Sequence, residues 1–384
     1  GRYLALTRFP REDRYPRPGE VAEVVLVDLE TGKRRTLAET VGWDTQLGAQ
    51  VQWGADDTQL FFNEIDPHDW RPFGVRLDPF SGVRKELEGT VYMVSPDGKW
   101  AASPCLLRIG ATQAGYGVVT PPGRAPKNRG APADDGVYVT NTETGECRLL
   151  ISLKQIVETA RPHLDPRRYR WGSFYVFHVK WNPQGDRLML VLRWLRGRWR
   201  FKQRRYHLIT MKTDGSDVRV AVTAEQWARG SHHPNWCPDG ESILMNMNLP
   251  GDDVRFVRVR YDGTDLRALT DAVLGSGHPT LHPNGRHVLT DAYQAEPAAF
   301  GDGTVPIRLI DIENGREETL VRINTAPPLT NPMGKLRVDP HPAWDRSFSA
   351  IAFNACPDGT RKVYVADLTD KLQPGQTPSD PPAR

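Results

Sequence analysis

Cysteine is scarce in this chain. The four among 384 residues, Cys105, Cys147, Cys237 and Cys356, lie far apart with no CxxC. That spacing excludes a zinc knuckle and a redox dithiol, and leaves core thiols of a reducing compartment as the expectation. Long apolar runs are absent too, so no membrane is expected as a partner. Charge of one sign is not in excess: 50 Lys and Arg against 47 Asp and Glu give +3. So small a surplus predicts no nucleic-acid partner by itself. No GxSxG motif occurs, which leaves a serine hydrolase without its nucleophile elbow. The thiols point to a cytoplasmic location. Because the chain opens on Gly1 rather than Met, a periplasmic or secreted location follows instead if a leader has been removed.

What is present is turns: 34 Gly and 32 Pro. One turn recurs after an apolar or Trp-bearing run, in "VQWGADDTQLFFN", "VYMVSPDGKWAAS", "VKWNPQGDRLMLV", "PNWCPDGESILMN", "PTLHPNGRHVLTD" and "PAWDRSFSAIAFN". Between these copies sits a second hairpin, as in "VVLVDLETGKRRTL", "VYVTNTETGECRLL" and "IRLIDIENGREETL". Gly, Asn-Gly and Asp-Gly supply the positive φ of tight turns. Alternating hairpins at intervals of about 40 to 50 residues predict four-stranded antiparallel blades. The expectation is an all-β chain in which residues 1–372 form one seven-bladed β-propeller. Its ring is closed by the N- and C-terminal strands, which are expected to share a blade. "SLKQIVETARPHL" reads as the one helix, and the Pro-, Asp- and Ser-rich residues 373–384 as a disordered tail.

Setting the six inner strands in register on their turns lines up Gln50, Val91, His178, His233, His278 and His341 in one column. Four of six are His in a chain with only 10. Each begins an innermost strand, so the imidazoles are expected to meet at the mouth of the central funnel. Three residues on stand Trp53, Val94, Trp181, Trp236, Leu281 and Trp344. Their opposite strand parity predicts packing between blades. Convergent imidazoles suit a divalent metal, with Gln50 or Asp339 adding oxygen ligands, or proton transfer beside a carboxylate.

Loops between the second and third strands of a blade should reach the same face. Blade two offers "NEIDPHDWRPFG", with His68, Asp69 and Trp70, and blade three a long insertion with Tyr116, Arg124, Lys127 and Arg129. Blade four offers "RWLRGRWRFKQRR", seven cations among thirteen residues interleaved with aromatics. Cations beside aromatic rings suit a chain of acidic sugars, whose carboxylates pair with guanidinium groups while the apolar ring faces stack. They also suit single-stranded nucleic acid.

The Pro-x-Trp-x-Pro-Asp-Gly hairpin resembles that of TolB-like propellers. There a polar residue at the column position need only satisfy loop backbone. "SGHPTLHPNGRHVLTDAY", followed by "DPHPAW", resembles the seven-bladed polysaccharide lyases along essentially all blades. Resemblance to the oligogalacturonate lyases implies a Brønsted base at His233 and manganese ligands at His278 and His341. That family's other two ligand positions read Leu336 and Asp339 here. Resemblance to the ulvan and rhamnosyl-glucuronate lyases implies roles for Tyr116 in "QAGYG", for Arg129 and for His68. A second family His is Gln50.

The expected function is therefore a polysaccharide lyase that cleaves a uronic-acid glycan by β-elimination. In this reading His233, Tyr116, His68 and Arg129 are catalytic, and Gln50, His178, Arg193 and Trp70 bind substrate. His278, His341 and Asp339 would hold manganese or calcium. The partner is an acidic oligo- or polysaccharide, and the sequence sets no oligomeric state. The alternative is a non-catalytic TolB-like propeller that binds a protein or an acidic ligand. A glycosidase would need paired carboxylates at the axis, for which the sequence offers only Asp339 and Asp69.

Overall fold

The six inner hairpins and the six outer ones all form where the turn residues put them. The computed structural model describes residues 1–110, 112–197, 203–251, 253–325, 336 and 338–372. These make seven antiparallel sheets arranged as a β-propeller. Five of the sheets have four strands, within residues 52–87, 93–152, 173–222, 232–268 and 280–324. The first (3–40) and the last (343–367) have three. Chain order equals spatial order in every sheet.

The ends meet as neighbours and do not share one blade. The Gly1 amine pairs with Asp345 at 3.1 Å, and the Arg361 backbone N–H donates to Glu12 at 2.9 Å. The Arg346 guanidinium reaches across from the inner turn of blade seven to the carbonyls of Gly54 and Ala55 in the inner turn of blade two. Among the described residues blade one has no innermost strand to stand between them. Its strand Tyr3–Arg8 runs toward the funnel mouth, where Thr7 accepts from the Ala49 N–H at 3.0 Å. That direction belongs to the second strand of the other blades, so six inner strands surround the axis.

Strand identity follows from burial. The second strand of blade four, Arg187–Arg196, is buried on both faces along nearly its whole length, because neighbouring blades cover each side. It therefore reads as a continuous apolar run and not as an alternation. The largest apolar cluster lies between blades three and four and joins Val137, Val139 and Ile151 to Leu188, Leu190 and Leu192. The Trp column packs between blades. Trp181 Nε1 donates to the Met93 carbonyl at 3.1 Å, and Trp236 Nε1 to the Lys180 carbonyl at 3.3 Å.

The predicted helix forms over Leu153–Thr159, started by a Ser152/Gln155 capping box. Two single helical turns, Leu106–Ile109 and Ala224–Trp227, are additional. All four cysteines are free. No helix among the described residues is long and apolar enough to cross a membrane.

Candidate active site

The His column coincides with a backbone irregularity. In blade four His178 and Val179 oppose the single residue Leu190, and in blade five His233 and Pro234 oppose the single residue Met245. Each is a β-bulge, which bends the strand and re-aims a side chain. Gln50 (φ 58°), His178 (53°), His233 (55°) and His341 (46°) all occupy the left-handed region. In blade six the positive φ passes to Gly277 (55°), one residue before His278. Non-Gly residues held there store roughly 1–3 kcal/mol each. The repeat therefore maintains a strained backbone that turns this position into the funnel.

The imidazoles converge. His278 lies between His233 and His341, with ring centroids 4.0 Å from each. His341 is nevertheless exposed, so open space adjoins the stack at the axis. Asp291, fully buried, fastens blades six and seven together. Its carboxylate accepts from the backbone N–H of His278 (2.6 Å) and of His341 (2.9 Å), and from His278 Nδ1 (3.0 Å). Burial drives the Asp291 carboxyl upward.

Proton positions follow from these partners. The Gly277 carbonyl can only accept, so His233 Nδ1, 2.7 Å away, donates to it. His278 Nδ1 likewise donates to Asp291. His233 Nε2 is then a lone pair, and it faces the Tyr293 hydroxyl at 3.1 Å, as does His278 Nε2. With both rings neutral, one phenolic proton serves two acceptors. Asn246 supports the group by donating to the Gly277 carbonyl at 2.8 Å and to His232 Nδ1 at 3.3 Å. Burial pushes His233 well below the usual imidazole range and His232 down to about 4, so both are neutral near pH 7.

A second group surrounds His178. Tyr92 bonds His178 Nδ1 through its hydroxyl, and the Tyr116 ring packs edge-on against His178 and Phe177. Asp44 positions the Tyr116 loop by accepting the Gly117 N–H at 2.8 Å, and burial raises its carboxyl to about 7. Arg193 lies beneath, 7% exposed, with its guanidinium 3.4 Å from the Phe177 ring centroid and 4.9 Å from that of Tyr206. It donates to Thr112 and Gln113 at 3.1 Å each. Its Nε has no partner and, among the described residues, no carboxylate forms an ion pair with it. Burial lowers Arg193 to about 10, so it stays charged at neutral pH. His178 is depressed first by burial and then by the charges of Lys180 and Arg193.

The other expected residues are placed elsewhere. His68 stands exposed in the Asp66–Trp70 turn, where its backbone N–H donates to Asp66 at 2.9 Å. Trp70, in left-handed conformation, closes that turn near Gly19. Arg129 is exposed, and neither it nor His68 shares a hydrogen bond or ring contact with the imidazole stack. Gln50 is in the column with a buried, unpartnered Nε2. Of the basic stretch in blade four, residues 198–202 lie outside the described residues, while Trp194 is a buried core residue.

The metal set expected from His278, His341 and Asp339 does not fit. Both nitrogens of His278 are already engaged, and His341 stacks on it at 28° instead of pointing at a shared centre. The Leu336 side chain has no donor atom. Among the described residues no three His, Cys, Asp or Glu groups are disposed to hold an ion. Neither manganese nor calcium is therefore supported by this donor set.

With this geometry in place, comparison with known proteins shows how far the likeness extends. No family model matches the chain. An uncharacterized protein of Agrobacterium fabrum is 33% identical over 88 residues, 23% of this chain and only 30% of its own length. An oligogalacturonate lyase solved in complex with manganese aligns at TM-score 0.60 and 16% identity, over 91% of this chain and 84% of its own. A second oligogalacturonate lyase, from Vibrio parahaemolyticus, gives TM-score 0.60 and 12% identity over 96% and 92%. A puromycin-hydrolyzing peptidase of Mycobacterium tuberculosis also aligns, at TM-score 0.52 and 14% identity, over 96% of this chain and 51% of its own. What these solved structures share with the chain is the propeller.

Three residues central to the site, Tyr92, Asp291 and Tyr293, were not among those the sequence singled out. Tyr92 follows Val91 in the column, and Asp291 and Tyr293 close the "TDAY" run. A polar run just after an inner hairpin was the available signal.

Proposed function

We propose that this protein is a polysaccharide lyase that cleaves a uronic-acid-containing glycan by β-elimination. The observation that carries the reading is Arg193, a buried cation without a carboxylate partner among the described residues, in a propeller whose inner strands also present a neutral imidazole acceptor beside a phenol. The C5 proton of a uronate is very weakly acidic while the adjacent carboxylate keeps its charge. Arg193 would neutralise that carboxylate and stabilise the enolate-like transition state, a contribution of about 3–4 kcal/mol for a well-placed donor. Tyr116 and His178 flank the sugar there.

His233 Nε2 would take the C5 proton. The electron pair forms the C4–C5 double bond, the C4–O bond breaks, and the departing oxygen takes the Tyr293 proton. The Tyr293 phenolate then recovers a proton from His233 Nε2–H, its neighbour at 3.1 Å. Base and acid are thus reset by one short transfer. The Gly277 carbonyl holds the His233 tautomer this cycle needs.

The test is an ultraviolet absorbance screen against uronic-acid polysaccharides and oligosaccharides, since the product carries a new conjugated double bond. A rise with one of them supports the lyase. Binding without any rise favours the non-catalytic propeller.

A further inference from the structure

Lys180 has no role in the chemistry above. It lies two residues beyond His178 on the inner strand Ser173–Trp181. In register with it the other inner strands carry Gln52, Met93, Asn235, Thr280 and Ala343. Lys180 is thus the one charged side chain in its layer around the axis. Its Nζ reaches the carbonyl of Pro234, the residue after His233 on the neighbouring inner strand, which places the ammonium at the level of the inner strands that carry the imidazoles.

One Lys180 hydrogen bond is structural: Nζ donates to the Pro234 carbonyl of the next blade at 3.0 Å. Gln52 makes the same strut in blade two, donating to the Tyr92 carbonyl at 3.2 Å. A neutral amide therefore suffices to tie adjacent inner strands. The positive charge of Lys180 is left without a structural reason, and among the described residues it has no ion pair. Burying it is unfavourable, and burial alone lowers its amine to about 8. At neutral pH it remains mostly protonated, with N–H donors to spare.

We propose that Lys180 is the axial carboxylate receptor of the glycan, supplying from the protein the cation for which the imidazole stack lacks a metal-ligand set. The proposal rests on the reading of the funnel as a uronate site. It extends that reading in two ways: uronate binding is independent of divalent metal, and a bound chain places one carboxylate on the axis in addition to the one at Arg193.

Lys180→Gln is the decisive variant, because glutamine keeps the strut and removes the charge. Binding of uronate oligosaccharides by calorimetry, and turnover by ultraviolet absorbance, are measured for the chelator-treated wild type and the variant. The expected result is full wild-type binding after chelation and binding about 10- to 100-fold weaker in Lys180→Gln, the loss typical of a charge-assisted bond. Its melting temperature should be no lower than that of the wild type.

Equal affinity in the two proteins would overturn the proposal. So would wild-type binding that disappears on chelation and returns with manganese, or a wild type that binds no uronate at all. The two readings separate cleanly. Product formation with an unchanged KM in Lys180→Gln sinks the Lys180 role and leaves the lyase. Lys180-dependent binding without product sinks the lyase and leaves the receptor.

Discussion

The hydroxyl of Tyr293 lies 3.1 Å from Nε2 of His233, whose Nδ1 is held from behind by the Gly277 carbonyl of blade six. Tyr293→Phe removes the only proton that pair can share and leaves the ring packing in place. We expect kcat to fall about 10²- to 10³-fold with an unchanged circular dichroism spectrum. His233→Ala should lose at least as much. Tyr116→Phe, which keeps the edge-on contact with His178, should cost less than about tenfold. A larger loss there would move the base from His233 to Tyr116.

Arg193 can be tested through the substrate. Arg193→Met should lower kcat/KM on the free uronate by about 10²- to 10³-fold. Methyl esterification of the glycan removes the charge that Arg193 meets and acidifies C5 without help. The same variant should therefore lose much less on the ester. Equal losses on acid and ester would mean that Arg193 only supports the Phe177 and Tyr206 rings.

The left-handed column predicts a stability difference. At His341, φ 46°, glycine adopts the conformation freely while alanine is strained. His341→Gly should be more stable than His341→Ala by about 1 kcal/mol in urea unfolding, since both lose the same side chain. At Gly277 the order is the same and the gap wider: Gly277→Ala would drive a methyl group into Asp291 and should destabilise strongly.

His207 gives a pH test away from the funnel. It is buried, bonds the Tyr169 hydroxyl at 2.7 Å, and is lowered to about 4 by burial. The unfolded chain binds this proton first, near pH 6.5, so its contribution is complete above that pH. It is lost as pH falls toward 4. The loss should be on the order of 3 kcal/mol. Urea midpoints of the wild type and His207→Gln at pH 7.5, 5.5 and 4.5 check this. The variant, whose amide can still accept from Tyr169, should have the flatter profile, and parallel curves would refute the assignment.

The blade count, the hairpin boundaries and the His and Trp columns were legible because a repeat states each of them six times. Register alone placed His178, His233, His278 and His341 on one level. Their bulged backbone was not legible, since nothing in the side chains of Gln50 or His178 demands a positive φ. Loop residues carry no register, so the sequence could not place His68 and Arg129 relative to the imidazoles. Tyr293 and Asp291 were missed for the same reason. Lys180 was hidden by its ordinariness: a lysine beside a tryptophan reads as surface until the strand is known to line a channel.

Among the described residues blade one contributes no inner strand to the axis, so the circle of inner strands is an arc of six. Imidazoles occupy the sectors of blades four to seven, while blades two and three present Gln50 and Val91 at the same level. At the level of the column the funnel thus has an imidazole wall and a wall without imidazoles. On the proposed lyase reading, a sugar bound at this level would meet the imidazoles of blades four to seven on one side of its ring only.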